Sequence, residues 1–144
     1  MTKKLFLLPA LMLVASALFV TSCTKDCKVK QDDYVGQFLA TENCTSGAAS
    51  YNITIVRGAS DTELKISNFW DLFLNSVDAT IDCETITIAR QQPDAADQYF
   101  VEGSGYYEKN NGVETITISY TVTDETDPNN ILTDNCSQTV YTKL

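Results

Sequence analysis

The residues with the clearest chemistry in this sequence are its five cysteines: Cys23, Cys27, Cys44, Cys83 and Cys136. A cysteine can take a lipid, form a disulfide, ligate a metal or act as a nucleophile. Their spacings match no zinc pattern and include no CxxC pair. The chain has no histidine, which removes the commonest general base and the Ser-His and Cys-His nucleophile pairs. We therefore expect lipid attachment and disulfides from these cysteines, with no metal, no cofactor and no catalytic residue.

Cys23 stands at the end of a segment that resembles an export signal. Lys3 and Lys4 precede an apolar run over residues 5–20, and two small residues come directly before the cysteine. This order is typical of a secretory signal peptide with its cleavage site. We predict a lipoprotein signal peptide over residues 1–22 and acylation of Cys23. A retained transmembrane helix is the alternative, but Pro9 interrupts the run and the cysteine at its end favours a lipid anchor.

The other groups that could do chemistry have simpler interpretations. The segment 124–130 is rich in oxygen ligands, but it lacks the spacing of a calcium-binding EF-hand loop, and a solvated turn is favoured. Ser104 lies between two glycines but not in a G-x-S-x-G motif, and no base is available to it. Nothing in the sequence positions a particular pair of carboxylates. We therefore expect a protein that is not an enzyme.

The charge of the chain excludes one class of partner. Its net charge is −9, and loss of Lys3 and Lys4 with the signal makes it −11. A polyanion does not bind nucleic acid by neutralising phosphates, and anionic lipid surfaces repel it. Contact with a membrane is therefore expected only through the lipid. Residues 23–33 are charged and nearly free of apolar side chains, which predicts a flexible tether before a domain over residues 34–144.

From residue 34 onward, apolar residues recur at every second position, as in half-buried β-strands. In one segment Ile116, Ile118 and Tyr120 alternate with threonine and serine. The pattern predicts eight strands, near residues 34–43, 50–57, 61–67, 76–82, 84–90, 98–108, 113–123 and 136–143. Short connections, including a hairpin turn at Asn111-Gly112, indicate antiparallel neighbours. We predict an all-β, eight-stranded up-and-down barrel, with a β-sandwich as the alternative.

The cysteines can be placed on this topology by strand parity. We call the rim where the chain enters the barrel the tether rim, and the opposite one the far rim. Strand one ends and strand eight begins at the far rim, which brings Cys44 beside Cys136. Strand four ends at the tether rim, where Cys83 meets the segment with Cys27. Parity therefore favours the disulfides Cys27–Cys83 and Cys44–Cys136, and it places four connections at the far rim: 44–49, 68–75, 91–97 and 124–135.

The expected contents of the barrel bear on ligand binding. An eight-stranded barrel is just wide enough to be filled by side chains or to hold one small ligand. The positions predicted to point inward are bulky, which favours a packed core: Ile53, Ile55, Leu64, Ile66, Ile81, Ile86, Ile88, Ile116, Ile118, Tyr120 and Val140. The apolar connection 68–75 makes Phe69, Trp70 and Phe73 candidate contacts for a ligand or partner. The favoured alternative is that these aromatic residues plug the end of the barrel.

Several segments resemble one group of proteins, the small Bacteroidetes-type lipoproteins with a calycin-like (lipocalin-like) β-barrel domain. Ser22-Cys23 before Lys25-Asp26 resembles the start of such lipoproteins, and the body shares the segments 36–38, 66–69, 77–81, 85–88 and 103–105. The resemblance implies a barrel attached by lipid to the outer membrane, facing the periplasm or the cell surface.

These observations predict a monomeric, lipid-anchored binding or interaction module that is not an enzyme. Its working surface would be the loops of the far rim, where a small apolar ligand or a protein partner would bind. A lipocalin-type carrier with a small apolar ligand inside the barrel is the first alternative. A protease inhibitor and a hydrolase are weaker alternatives. The inhibitor rests on fold analogy alone, and the sequence offers a hydrolase no nucleophile, base or metal set.

Overall fold

The computed structural model describes residues 26–144. The predicted signal peptide, the predicted lipid site Cys23 and the start of the predicted tether lie outside these residues. A short helix, α1 (Gln31–Tyr34), comes before the strands. The strands are β1 (Gly36–Cys44), β2 (Gly47–Arg57), β3 (Glu63–Ser67), β4 (Val77–Asp82), β5 (Thr85–Gln91), β6 (Tyr99–Asn110), β7 (Val113–Asp124) and β8 (Leu132–Lys143). A 3₁₀ turn, Phe69–Asp71, lies between β3 and β4.

The eight strands form a closed antiparallel barrel in sequence order, and β1 pairs with β8 to close it. This confirms the predicted up-and-down barrel and excludes the sandwich. Asn111 and Gly112 both have positive φ angles, 53° and 86°, as the predicted hairpin turn requires. Two predicted boundaries differ. The connection from β1 to β2 is a turn of only two residues, 45–46, and β8 begins at Leu132 instead of residue 136.

Inward-facing side chains fill the barrel. Phe38, Ile55, Ile66, Ile86 and Ile116 are fully buried, and alternate residues of their strands face solvent. Ten of the eleven positions predicted to point inward are buried in this way. Burial of large aliphatic side chains stabilises a fold by about 1.5–3 kcal/mol each.

Val140 is the exception, and the prediction for it was wrong. Thr139 and Tyr141 are fully buried, whereas Val140 is only partly so. The cause is a β-bulge in β8, where the pairing with β7 shifts between Ile118 and Tyr120 and Gln138 has a φ of 57°. One extra residue reverses the alternation after it. Before the bulge the even-numbered Cys136 points inward, whereas beyond it the odd-numbered Thr139 and Tyr141 do so.

Gly105 marks a place where β6 and β7 approach too closely for any side chain. A Cβ atom there would lie 2.1 Å from the carbonyl oxygen of Thr117 and 2.8 Å from the Cα of Ile118. Because both atoms belong to the backbone, no side-chain rotation relieves the overlap. We expect Gly105→Ala to lower the free energy of unfolding by about 1–3 kcal/mol in urea titrations. The neighbouring exposed Ser104→Ala should change it by less than about 0.5 kcal/mol, and equal effects would contradict this interpretation.

The tether rim is closed by the segment that precedes β1. Tyr34 is fully buried, its ring lies 5.2 Å from that of Tyr107, and its hydroxyl donates to the carbonyl of Cys83 at 3.0 Å. The disulfide Cys27–Cys83 is present as predicted. Part of the predicted tether, residues 26–33, is thus attached to the barrel. Within the described residues, no helix is long and apolar enough to cross a membrane.

Glu114, also near the tether rim, gives the fold a pH dependence. The ammonium groups of Lys109 and Lys143 each lie 2.6 Å from its carboxylate, and they lower the pKa of Glu114 to about 2. A lowered pKa stabilises the fold above the ordinary carboxyl pKa, and this contribution is lost as the pH falls towards 2.

We expect Glu114→Gln to lower the free energy of unfolding by about 1–2 kcal/mol at pH 7. This is less than the whole pKa shift implies, because solvent screens the ion pair with the exposed Lys109. The cost should shrink steadily below pH 4 in urea titrations. A cost that does not change with pH would show that the two ion pairs do not stabilise the fold.

Candidate functional site

The far rim carries the connections 45–46, 68–76, 92–98 and 125–131, in agreement with strand parity. The disulfide Cys44–Cys136 joins β1 to β8 there and confirms the predicted pairing. Beside it, the backbone N–H of Thr45 donates to the carbonyl of Asn135 at 3.0 Å. The seam of the barrel is therefore fixed at the far rim.

Two of the three aromatic residues predicted as candidate contacts act as a plug. Phe69 is fully buried and Phe73 nearly so. The ring of Phe69 lies 4.6 Å from that of Tyr120 and 6.5 Å from that of Tyr141, both inside the barrel. Trp70 is only half-buried, and its ring packs 5.9 Å from Phe73. Of the three, only Trp70 thus retains a solvent-facing surface.

The backbone of the plug is held in an unusual conformation. Asn68, Trp70 and Asp71 all have positive φ angles, between 48° and 59°, which cost roughly 1 kcal/mol or more for residues other than glycine. The side-chain amide of Asn68 donates to the carbonyl of Asn52 at 2.9 Å. The indole N–H of Trp70 donates to the carboxylate of Asp134 at 3.2 Å. These contacts fix the face of Trp70 that points outward.

Asp94 anchors the residues that follow the plug. Its buried carboxylate accepts hydrogen bonds from the backbone N–H groups of Leu74 and Asn75, each at 2.9 Å, and from the Asn75 side chain at 2.8 Å. We expect Asp94→Ala to lower the free energy of unfolding by about 1–3 kcal/mol, because two part-buried backbone N–H groups lose a charged acceptor. Hydrogen exchange at Leu74 and Asn75 should also accelerate. The exposed Asp97→Ala is the control, and unchanged exchange in Asp94→Ala would refute the anchoring role.

Exposed apolar side chains surround the plug. Four of the nine large apolar residues that are exposed in residues 26–144 lie here: Leu72, Leu74, Ile131 and Leu132. Leu74 is 92 % exposed, although it is flanked by the anchored backbone described above. The other five are distributed over the barrel wall and the tether rim. The far rim thus combines exposed apolar side chains with a fixed backbone, a combination suited to contact with another molecule.

Two clefts open on either side of Trp70. One, of about 350 Å³, lies between Trp70, Tyr99 and the start of β8, and includes Leu132. The other, of about 330 Å³, lies between the segment Trp70–Leu72 and the β1–β2 hairpin. We call the second one the hairpin cleft. Its hairpin wall is formed by the inner face of β1 and β2, and Glu42, Cys44 and Ala49 all line it.

Glu42 lies at the centre of a buried polar cluster beneath the plug. It is only 4 % exposed and accepts a hydrogen bond from the hydroxyl of Tyr120. Tyr51 and Tyr141 are buried beside it. Burial raises the pKa of all three tyrosines above the ordinary value, and the neighbouring Glu42 raises it further in each. Each hydroxyl therefore remains protonated and able to donate a hydrogen bond.

The contacts of Glu42, Asp94 and Asp134 were not predicted from the sequence. A usable indication existed only for Glu42, which shares the inward parity of Phe38, Ala40 and Cys44 in β1. Asp94 and Asp134 act through contacts with residues 20 and 64 positions away, and no local pattern marks such contacts.

Groups that could hold a metal are already engaged. In the described chain, two clusters of potential ligands each contain two disulfide-bonded cysteines: Cys27 and Cys83 with Asp82, and Cys44 and Cys136 with Glu42. In the acidic connection, the carboxylates of Asp124 and Asp127 accept backbone N–H groups two residues ahead, each at 2.9 Å. This arrangement is that of a solvated turn.

Comparison with known proteins adds no identification. No model of a known protein family matches the sequence, and no curated protein matches it either.

Proposed function

We propose that this chain is a lipid-anchored module of the bacterial outer membrane that binds a ligand or protein partner through its far rim and is not an enzyme. The lipid on Cys23 would hold the tether rim towards the membrane. The membership of the small calycin-like lipoproteins that the sequence suggested is part of this proposal. One observation carries it: the exposed apolar residues around Trp70 stand on a backbone fixed by Asp94, Asp134 and Asn68.

The distribution of charge on the connections supports a specific surface. The four far-rim connections contain five carboxylates and no lysine or arginine. At the tether rim, by contrast, Arg57, Lys109 and Lys143 take part in ion pairs. A partner of complementary charge would be steered to the far rim, away from the anchor.

The interior gives less support to a carrier of lipocalin type. The plug closes the far end with Phe69 and Phe73, and Tyr34 closes the other end. Between them, aliphatic and aromatic side chains pack along the barrel axis. A small apolar ligand inside the barrel would have to displace several of these side chains, so the surface of the rim is the better candidate.

The anchor can be tested by mass spectrometry of the mature protein from a bacterial host. We expect an N-terminus at Cys23 with attached acyl chains, and Cys23→Ser should abolish acylation. A mature N-terminus at any other residue would overturn the lipid anchor.

The working surface can be tested by photo-crosslinking in intact cells. A crosslinking residue placed at Leu74 should capture a partner, whereas one at the exposed Tyr106 on the barrel wall should not. Leu132→Glu should reduce the capture at position 74, and Val113→Glu at the tether rim should leave it unchanged. Equal capture from Leu74 and Tyr106, or none from the far rim, would refute the proposed surface.

A further inference from the structure

The hairpin cleft has a chemical character that indicates a ligand class. The tip of the β1–β2 hairpin is open to solvent, because the first four residues of β2, 47–50, are all exposed. Ala49 lies on the same face of β2 as the buried Tyr51 and Ile53, yet it is exposed. Glu42, its cross-strand partner, lies deeper on that inner face. The cleft therefore leads from solvent past Ala49 to a buried carboxylate.

Glu42 has no counterion in residues 26–144. None of the ion pairs that the structure shows there includes it, and the hydroxyl of Tyr120, which donates a hydrogen bond to it, is neutral. Removing a carboxylate from water without a cation costs several kcal/mol. A cation that enters the cleft would offset this cost.

Unpartnered hydroxyl groups provide a second, independent indication. The hydroxyls of Tyr51, Thr139 and Tyr141 are buried and make no hydrogen bond within the described part of the chain. Only 9 % of Tyr51 is exposed. The Glu42 carboxylate and the backbone of Trp70 are its neighbours. Native proteins leave few buried polar groups unpaired, and each such group requires an explanation. Tyr51 does not line the cleft itself, but its neighbours Glu42 and Trp70 do, so a polar ligand atom that reaches past them would supply a partner for its hydroxyl.

The remaining walls fit a cation that carries an apolar body. Asp71 adds a second carboxylate, Trp70 offers an aromatic ring, and Leu72 offers an apolar surface. An ammonium group is attracted both to carboxylates and to the face of an indole ring. The volume of about 330 Å³ suits a small molecule.

We propose that the hairpin cleft binds a small organic ammonium ion, with Glu42 as its counterion and Trp70 and Leu72 against its apolar part. The proposal rests on the proposed function, because it assigns a ligand class to the far rim.

Trp70 is a direct reporter of binding, since it is the only tryptophan in the chain. We would titrate the full mature lipoprotein, in neutral detergent micelles at constant ionic strength, and follow tryptophan fluorescence. The probe is butylammonium chloride, and 1-butanol and sodium butyrate are its neutral and anionic analogues. We expect a saturable change with butylammonium and at least tenfold weaker binding of both analogues.

Variants locate the site. Glu42→Gln should weaken butylammonium binding at least tenfold, whereas Asp127→Asn, a far-rim carboxylate outside the cleft, should change it less than twofold. If Glu42→Gln fails to fold, a second pair of variants, at positions 49 and 48, tests the same site. Ala49→Lys places an ammonium group in the cleft and should abolish binding, and Ala48→Lys on the opposite face of β2 should not.

Equal binding of butanol, an unchanged affinity in Glu42→Gln or Ala49→Lys, or no saturation by butylammonium would each overturn the proposal. Capture of a partner from Leu74 without ammonium binding would refute this inference and leave the proposed function in place. Ammonium binding without any far-rim capture would refute the protein-partner form of the proposed function instead.

Discussion

Replacement of both Cys44 and Cys136 by alanine is expected to lower the free energy of unfolding by about 4 kcal/mol. The disulfide joins residues 92 positions apart, and in the chain-entropy model a loop of this length gives a stabilisation of about 4–5 kcal/mol. Since small domains have a total stability of about 5–15 kcal/mol, the loss is a large fraction. It should appear in urea titrations and as a fall in Tm of roughly 15 °C.

The other disulfide supplies a matched control for this prediction. Cys27–Cys83 spans 56 positions, so its removal should cost only about 0.4 kcal/mol less in the same model. The two double variants should, however, expose different regions of the fold. Loss of Cys27–Cys83 should expose α1 to hydrogen exchange, while loss of Cys44–Cys136 should expose the ends of β1 and β8. A cost below about 1 kcal/mol for the Cys44–Cys136 variant would show that β1–β8 pairing alone holds the seam.

Phe69→Ala is expected to cost about 3–5 kcal/mol, the range for truncation of a fully buried aromatic residue. Phe69 contacts Tyr120, Tyr141 and Phe73, so its removal leaves a cavity directly above the buried polar cluster. Because Trp70 is next in the chain and is the only tryptophan, its emission should shift towards that of an exposed indole. Chemical unfolding and fluorescence spectra measure the two effects.

Leu74→Ala is the control for the plug. Leu74 belongs to the same connection but is 92 % exposed, so its truncation should change the free energy of unfolding by less than about 0.5 kcal/mol. If Phe69→Ala were as mild as Leu74→Ala, the segment 68–76 would not be a plug, and the barrel end would be open to ligands.

These expectations separate two roles within one connection. Phe69 and Phe73 stabilise the barrel, while Trp70, Leu72 and Leu74 present a surface. From the sequence, Phe69, Trp70 and Phe73 were predicted as one set of candidate contacts. The left-handed backbone at residues 68, 70 and 71 is what turns Trp70 away from the other two.

The sequence determined the barrel and its two disulfides by itself, because both depend on regularities that are local or countable. Alternation with a period of two marks each strand, and short connections make successive strands antiparallel. Once eight strands are counted, parity alone decides which rim each cysteine occupies. The pairs Cys27–Cys83 and Cys44–Cys136 follow from that count.

Three features could not be predicted from the sequence and are visible only in the folded chain: the bulge in β8, the anchoring contacts of Asp94 and Asp134, and the surroundings of Glu42. The bulge reverses the facing of Val140, although the alternating pattern gives no sign of it. The contacts of Asp94 and Asp134 join residues far apart in the chain, so no local periodicity encodes them. The position of Glu42 on an inner face was readable from parity. Its contact with three tyrosines and an open cleft depends, however, on how four strands curve around the plug. That curvature is a property of packing in three dimensions.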